Sequence, residues 1–179
     1  MSRTTSTAKR QEKVRLLTLT GLFSALVYVF TAYLHVPTGA GYTHAGDGLI
    51  YLAASILPPQ YAAAAGAIGA GLADGLSGFA VWIPATIVIK ALTALFFSNK
   101  GSKIITLRNI LAIIPSLILC VVGYSIYESM VIAHGFSTAA VIAAFTQTPA
   151  YFVQVGASSV LYIAAGKALD KAGFKSRFA

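Results

Sequence analysis

Apolar residues fill this chain in six blocks, each closed by proline, glycine, amide or charged residues. The first, about 16–34, is long enough at about 1.5 Å per residue to cross a bilayer core. A polar link over 35–45, with Pro37 and two glycines, separates it from a stretch over 48–57 that stops at Pro58-Pro59. That stretch covers roughly half a bilayer, so it reads as a short or partly immersed helix. The third block, 61–76, contains Ala62-Ala63-Ala64-Ala65-Gly66-Ala67-Ile68-Gly69-Ala70-Gly71 and almost no bulky side chain. Small residues let helices approach closely in lipid, which predicts a central helix packed against neighbours. Its Gly69-x-Gly71 is no dinucleotide fingerprint, because no strand precedes it and the last glycine is absent.

Asp74-Gly75 to Gly78 supplies a turn, and Pro84 suits the first turn of a fourth helix that ends near Phe97. A fifth segment runs over about 107–133, with a kink expected at Pro115 and a break at His134-Gly135. The last runs over about 145–165. The pattern therefore predicts an all-α, polytopic membrane protein of six transmembrane helices. A single membrane domain over 16–170 lies between a basic segment, 1–15, and a basic tail, 171–179.

Composition agrees: 57% of the 179 residues are hydrophobic, 10% are charged, and mean hydropathy is +0.77. The net charge of +8 would suit nucleic acid if the basic residues were spread over a soluble face. Instead all Lys and Arg but Lys90 fall in three clusters flanking apolar blocks: Arg3 to Arg15, Lys100 to Arg108, and Lys167 to Arg177. The positive-inside bias accounts for them, so no nucleic-acid partner is expected and both termini are read as cytoplasmic in the cell membrane. The first block is longer than a signal-peptide core and others follow it, so it is expected to be retained. The one cysteine, Cys120, has no partner for an internal disulfide.

Ionisable residues inside apolar blocks are costly and mark paths, partners or ligands. In the six-helix topology Asp47 opens helix two on the outer side, Asp74 closes helix three there, and Glu128 lies near the outer end of helix five. Lys90, about two turns into helix four, leans toward the same level, which makes an Asp74–Lys90 pair the expected contact. His44 sits at the membrane edge beside them. Tyr124, Tyr127 and Glu128 share a helix face, and Gln147, Tyr151, Gln154 and Ser158 form a polar stripe along the last helix. Such a stripe should face protein or a cavity. Plain structural readings compete: Asp47 as a helix cap, Glu128 reaching water, Trp82 in the interfacial aromatic belt. The convergence in one layer favours a small outward-facing pocket built from His44, Asp47, Asp74, Lys90, Glu128, Tyr127, Tyr151 and Gln154. His35 and His134 fall in outer loops and receive no role.

Nothing forms a catalytic constellation. The sequence has no paired His-Glu zinc motif, no serine elbow and no phosphate-gripping Gly-Lys-Ser/Thr loop, so neither an enzyme nor a bound cofactor or metal is expected. Binding for transport is the favoured reading, with a self-sufficient secondary transporter or channel for a small polar solute as its rival.

The stretches Thr43-His44-Ala45-Gly46-Asp47-Gly48, Gly66 to Gly78, Ile83-Pro84-Ala85-Thr86 and Ile89-Lys90 resemble the substrate-binding S-components of energy-coupling factor (ECF) vitamin transporters. They look most like the branch with riboflavin-, pyridoxine- and hydroxymethylpyrimidine-type members. The resemblance implies six helices, a vitamin bound near the outer face, and a lid formed here by 35–45. It also implies a membrane scaffold subunit and a pair of cytoplasmic ATPases that drive uptake. The family's Ala-x-x-x-Ala docking motif on helix one is matched by Gly21 and Ala25, with glycine in place of the first alanine. Three acids against one lysine disfavour a strongly anionic ligand. Many small hydrogen-bonding groups and no evident broad apolar slot point to a pyridoxine-like or hydroxymethylpyrimidine-like compound, with riboflavin next.

Overall fold

The structure, a computed structural model, describes residues 2–38, 41–132 and 137–178. Helix α1 (Ser2–Ala32) starts well before the first apolar block, and residues 7–15 of the basic leader are exposed turns continuous with the apolar segment. The link after it is not irregular: β1 (His35–Thr38) and β2 (Gly41–His44) form an antiparallel hairpin with His35 opposite His44. Helix α2 (Asp47–Ile56) follows and stops before Pro58, and α3 (Pro59–Leu76) begins with Pro59, whose missing N–H costs nothing in a first turn. Gly78, at φ +88°, makes the turn out of α3, a conformation that side chains with a Cβ rarely adopt. A 3₁₀ turn, Ala80–Trp82, leads into α4 (Ile83–Leu95).

The fifth block divides into α5 (Leu107–Leu111), capped by the Thr106 hydroxyl, and α6 (Ile113–Tyr127). The break falls at Ala112 and not at Pro115, the expected kink. Pro115 has no N–H for the carbonyl of Leu111 and its ring crowds that carbonyl, so the ladder is interrupted upstream and α6 begins two residues before the proline. A π-helical turn, Glu128–Ile132, extends α6. Helix α7 (Thr138–Phe145), capped by Ser137, precedes α8 (Thr148–Lys171), which runs further than the apolar block suggested; α9 (Phe174–Phe178) closes the chain.

Among the described residues, three stretches are long and apolar enough to cross a membrane: Thr7–Ala32, Leu107–Val131 and Thr138–Lys171. The shorter apolar helices Asp47–Ile56 and Ala80–Leu95 accompany them. Only 28% of each long apolar window is buried within the protein, so most of that surface requires a lipid cover. Leu22, Ile118, Phe152 and Val160, among others, point outward.

Helix α3 packs chiefly on α1 and α4, as its small residues demand. A Cβ at Gly69 would stand 2.5 Å from the carbonyl oxygen of Ser24 on α1, so only glycine permits that approach. Helix α2 is buried along nearly its whole length and lies against α8. At the end opposite the hairpin, Asn109 is enclosed and shares its two Nδ2 hydrogens among Ser55 Oγ and the carbonyls of Ser98 and Ile104, while Tyr162 bonds Ser55 and Ile104. The carboxylate of Asp170 accepts from the N–H groups of Ile104 and Ile105, fixing the loop between α4 and α5.

Candidate substrate-binding site

A cavity opens beneath the hairpin, among α3, the turn before α4, α6 and α8, with an empty volume of about 450 Å³ including its mouth. The hairpin forms one wall. Successive strand residues alternate sides, so Tyr42 and His44 of β2 both face inward. The strand is pinned twice: the Tyr42 hydroxyl donates to Asp74 Oδ1 at 2.5 Å, and Thr43 Oγ1 donates to the carbonyl of Ala150 on α8 at 3.0 Å. Burial first, and then the charge of Asp74, push the Tyr42 phenol up, so it stays a donor. Burial pushes His44 down to about 4, keeping the ring neutral; its Nδ1 accepts the N–H of Gly46 at 3.1 Å.

The remaining walls are aromatic and amide. Tyr124 and Tyr151 lie nearly parallel with centroids 5.8 Å apart, and Trp82 meets Tyr124 at 68°. Thr86 bonds the Tyr124 hydroxyl at 3.0 Å. Gln147 and Gln154 come from α8 and its approach, Glu128 from the π turn. Two carboxylate oxygens, Asp74 Oδ2 and Glu128 Oε2, are buried with no hydrogen-bond partner among the described residues.

Of the residues expected in this pocket, His44, Asp74, Glu128, Tyr151 and Gln154 line it. Asp47 and Lys90 lie one layer behind. The expected Asp74–Lys90 pair does not form: Lys90 Nζ sits 2.7 and 2.9 Å from the two oxygens of Asp47, with both side chains nearly inaccessible. Asp74 is instead taken by Tyr42, whose strand reaches the end of α3 while Lys90 faces the start of α2. Asp47 is therefore no helix cap; Gly46 holds the cap position, and the carboxylate turns inward to Lys90 and to Gln154 Nε2 at 2.8 Å. Tyr127 misses the cavity, because its hydroxyl donates to the carbonyl of Val81 at 2.6 Å and its ring packs on Trp82. Trp82 is buried at the cavity wall and not in an interfacial belt.

Tyr42, Trp82, Thr86, Tyr124 and Gln147 complete the lining beyond the residues chosen from sequence, with Thr38 and Gly41 at the hairpin. Two signals pointed to some of them. Trp82, Thr86 and Lys90 recur every fourth residue, one helical face, and Tyr42 shares the strand side of His44. Elsewhere, Gly21 and Ala25 are exposed on α1, and a Cβ at Gly21 would touch nothing within 4 Å. His35, opposite His44, packs on Tyr42 without lining the cavity; His134 lies outside the described residues.

The family model of the S component of the ECF-type riboflavin transporter matches residues 11–171. The chain belongs to the ECF S-component family. Comparison with curated proteins gives no match. As an S-component it is the substrate-binding subunit of an ECF importer, a membrane transport protein and not an enzyme. Membership implies a vitamin substrate and association with the membrane and ATPase components of an ECF module.

Proposed function

We propose that this S-component spans the cell membrane six times with both termini cytoplasmic. On this reading it captures a monocyclic vitamin or precursor, pyridoxine-like or hydroxymethylpyrimidine-like, at the outer face. The observation that carries the substrate class is the pair of unpartnered buried carboxylate oxygens, on Asp74 and Glu128, inside an aromatic-walled cavity. Buried acceptors without donors are costly, and a small heteroaromatic bearing hydroxymethyl, hydroxyl or amino groups would supply the missing hydrogen atoms. The walls also favour one ring over three. Trp82 stands at 68° to Tyr124 and so interrupts the slot that the near-parallel Tyr124 and Tyr151 would otherwise offer a flavin. The riboflavin in the matching family's name makes riboflavin the second reading.

The hairpin over 35–44, pinned at Asp74 and Ala150, acts as the lid, and Gly21 and Ala25 offer a bare face for a transmembrane scaffold served by two cytoplasmic ATPases. A thermal-shift panel of water-soluble vitamins tests the substrate, because a ligand that binds only the folded state raises its stability. Stabilisation by a pyridoxine- or pyrimidine-type compound is expected; stabilisation by riboflavin alone overturns the preference. Co-purification of a scaffold and two ATPases is expected, and Gly21→Leu should abolish it while leaving vitamin binding intact. ATP-independent accumulation by the isolated protein in liposomes would instead identify a self-sufficient transporter.

A further inference from the structure

Gln154 is the point where the buried ion pair touches the cavity wall. The side chain is 3% exposed, and its Nε2 donates to Asp47 Oδ2 at 2.8 Å and approaches Cys120 Sγ at 3.6 Å. A primary amide has two hydrogens on nitrogen, and here both have acceptors inside the protein. The atom that Gln154 presents to the cavity is therefore its carbonyl oxygen. An amide can ordinarily turn over and offer either end. Here the reverse orientation would press Oε1 against a carboxylate oxygen, and Asp47, with Lys90 Nζ bonded to Oδ2 at 2.9 Å and 2.7 Å from Oδ1, is a carboxylate paired with an ammonium, which accepts and has no proton to donate. Lys90 is held in turn between Asp47 and the ring of Tyr124, its Nζ 5.3 Å from the ring centroid.

We propose that the Asp47–Lys90 pair, which does not line the cavity, is a specificity device: it locks the Gln154 amide as an obligate acceptor. The site thereby selects a ligand that carries an N–H or O–H at that edge and rejects the same ring with the donor capped. This rests on the reading of the cavity as a vitamin site. It assigns Asp47 and Lys90 a positioning role, with Gln154 as the group that reads the ligand.

The test compares donor-bearing probes with capped partners: 4-amino-5-hydroxymethyl-2-methylpyrimidine with its 4-methoxy analogue, pyridoxine with its 3-O-methyl ether, and riboflavin with 3-methylriboflavin. Affinities are measured by calorimetry on the solubilised full chain. For whichever probe binds, wild-type protein should prefer the donor over the capped form by about tenfold or more, since an unmet buried acceptor is costly. In Asp47→Asn/Lys90→Met the new amide can accept as well as donate, Gln154 is free to turn, and the preference should fall to about threefold or less. Gln154→Met, which strands no charge, should lower the ratio in the same way and serves if the double variant fails to fold. A ratio unchanged in these variants, with both affinities reduced alike, overturns the proposal and leaves the vitamin site standing. Failure of every probe to bind wild-type protein overturns the vitamin reading, and this proposal with it.

Discussion

Replacing Lys90 by methionine keeps most of the side-chain volume and removes only the ammonium. Both members of the pair are nearly inaccessible, at 1% and 3%, and the ammonium reaches both carboxylate oxygens within 2.9 Å. Without it Asp47 remains buried with Gln154 as its one side-chain donor among the described residues. Stranding one charge of a buried pair costs about 3–5 kcal/mol, against about 0–1 for an exposed pair. For a chain of this size that is a fall of roughly 6–20 °C in melting temperature. Asp47→Asn should cost a similar amount, because the stranded lysine is as deeply buried. Asp47→Asn/Lys90→Met removes both charges and should recover most of the loss, since replacing a whole buried pair is often neutral. Thermal melting of the purified protein in one detergent reads all three variants. A loss below about 1 kcal/mol for Lys90→Met would refute the reasoning, because it would mean that water reaches the pair.

Three further outcomes follow from the same geometry. Tyr42→Phe deletes the donor that ties the hairpin to Asp74, so bound vitamin should dissociate about tenfold faster, and an unchanged off-rate in stopped flow would show that the hairpin does not gate release. His44, near 6.5 when unfolded and pushed to about 4 in the fold, contributes stability that is fully present above pH 6.5 and lost as pH falls toward 4. The loss should reach about 3 kcal/mol, and melting curves of His44→Gln should show a flatter slope over that window. Gly48→Ala should destabilise strongly, because its Cβ would stand 2.4 Å from the carbonyl of Ser158 and force α2 off α8, whereas Gly21→Ala meets nothing and should melt like wild type.

Much of the helical architecture was legible because lipid imposes a simple code: apolar length gives candidate spans, and proline and glycine give their ends. The central position of α3 followed from its lack of bulk. The hairpin was harder to see. Its strands are four residues each and carry Pro37 and Gly41, a composition that reads as a loop unless the pairing itself is known. The division at Ala112 was hidden for a related reason, since a proline marks a disturbance without saying on which side the helix yields.

The layer of polar residues was legible, but the partner of each was not. Spacing along one helix says which residues share a face; it does not say how neighbouring helices are rotated or slid against one another. Asp47 and Asp74 were both within plausible reach of Lys90, and the choice depended on two features outside α4. One is the strand that delivers the Tyr42 hydroxyl to Asp74, giving that carboxylate a neutral donor at the cavity edge. The other is the burial of the start of α2 against α8, which leaves Asp47 with no water and so with the greater need for a cation. Both carboxylates are buried, and the lysine goes to the one that no phenol reaches. That assignment sets the ion pair behind the wall, keeps the Lys90 ammonium out of the cavity lining, and leaves Asp74 and Glu128 as the acidic groups that a ligand meets. A cavity with two acids and no lysine or arginine in its lining suits neutral or weakly basic donors far better than phosphorylated forms of the same rings.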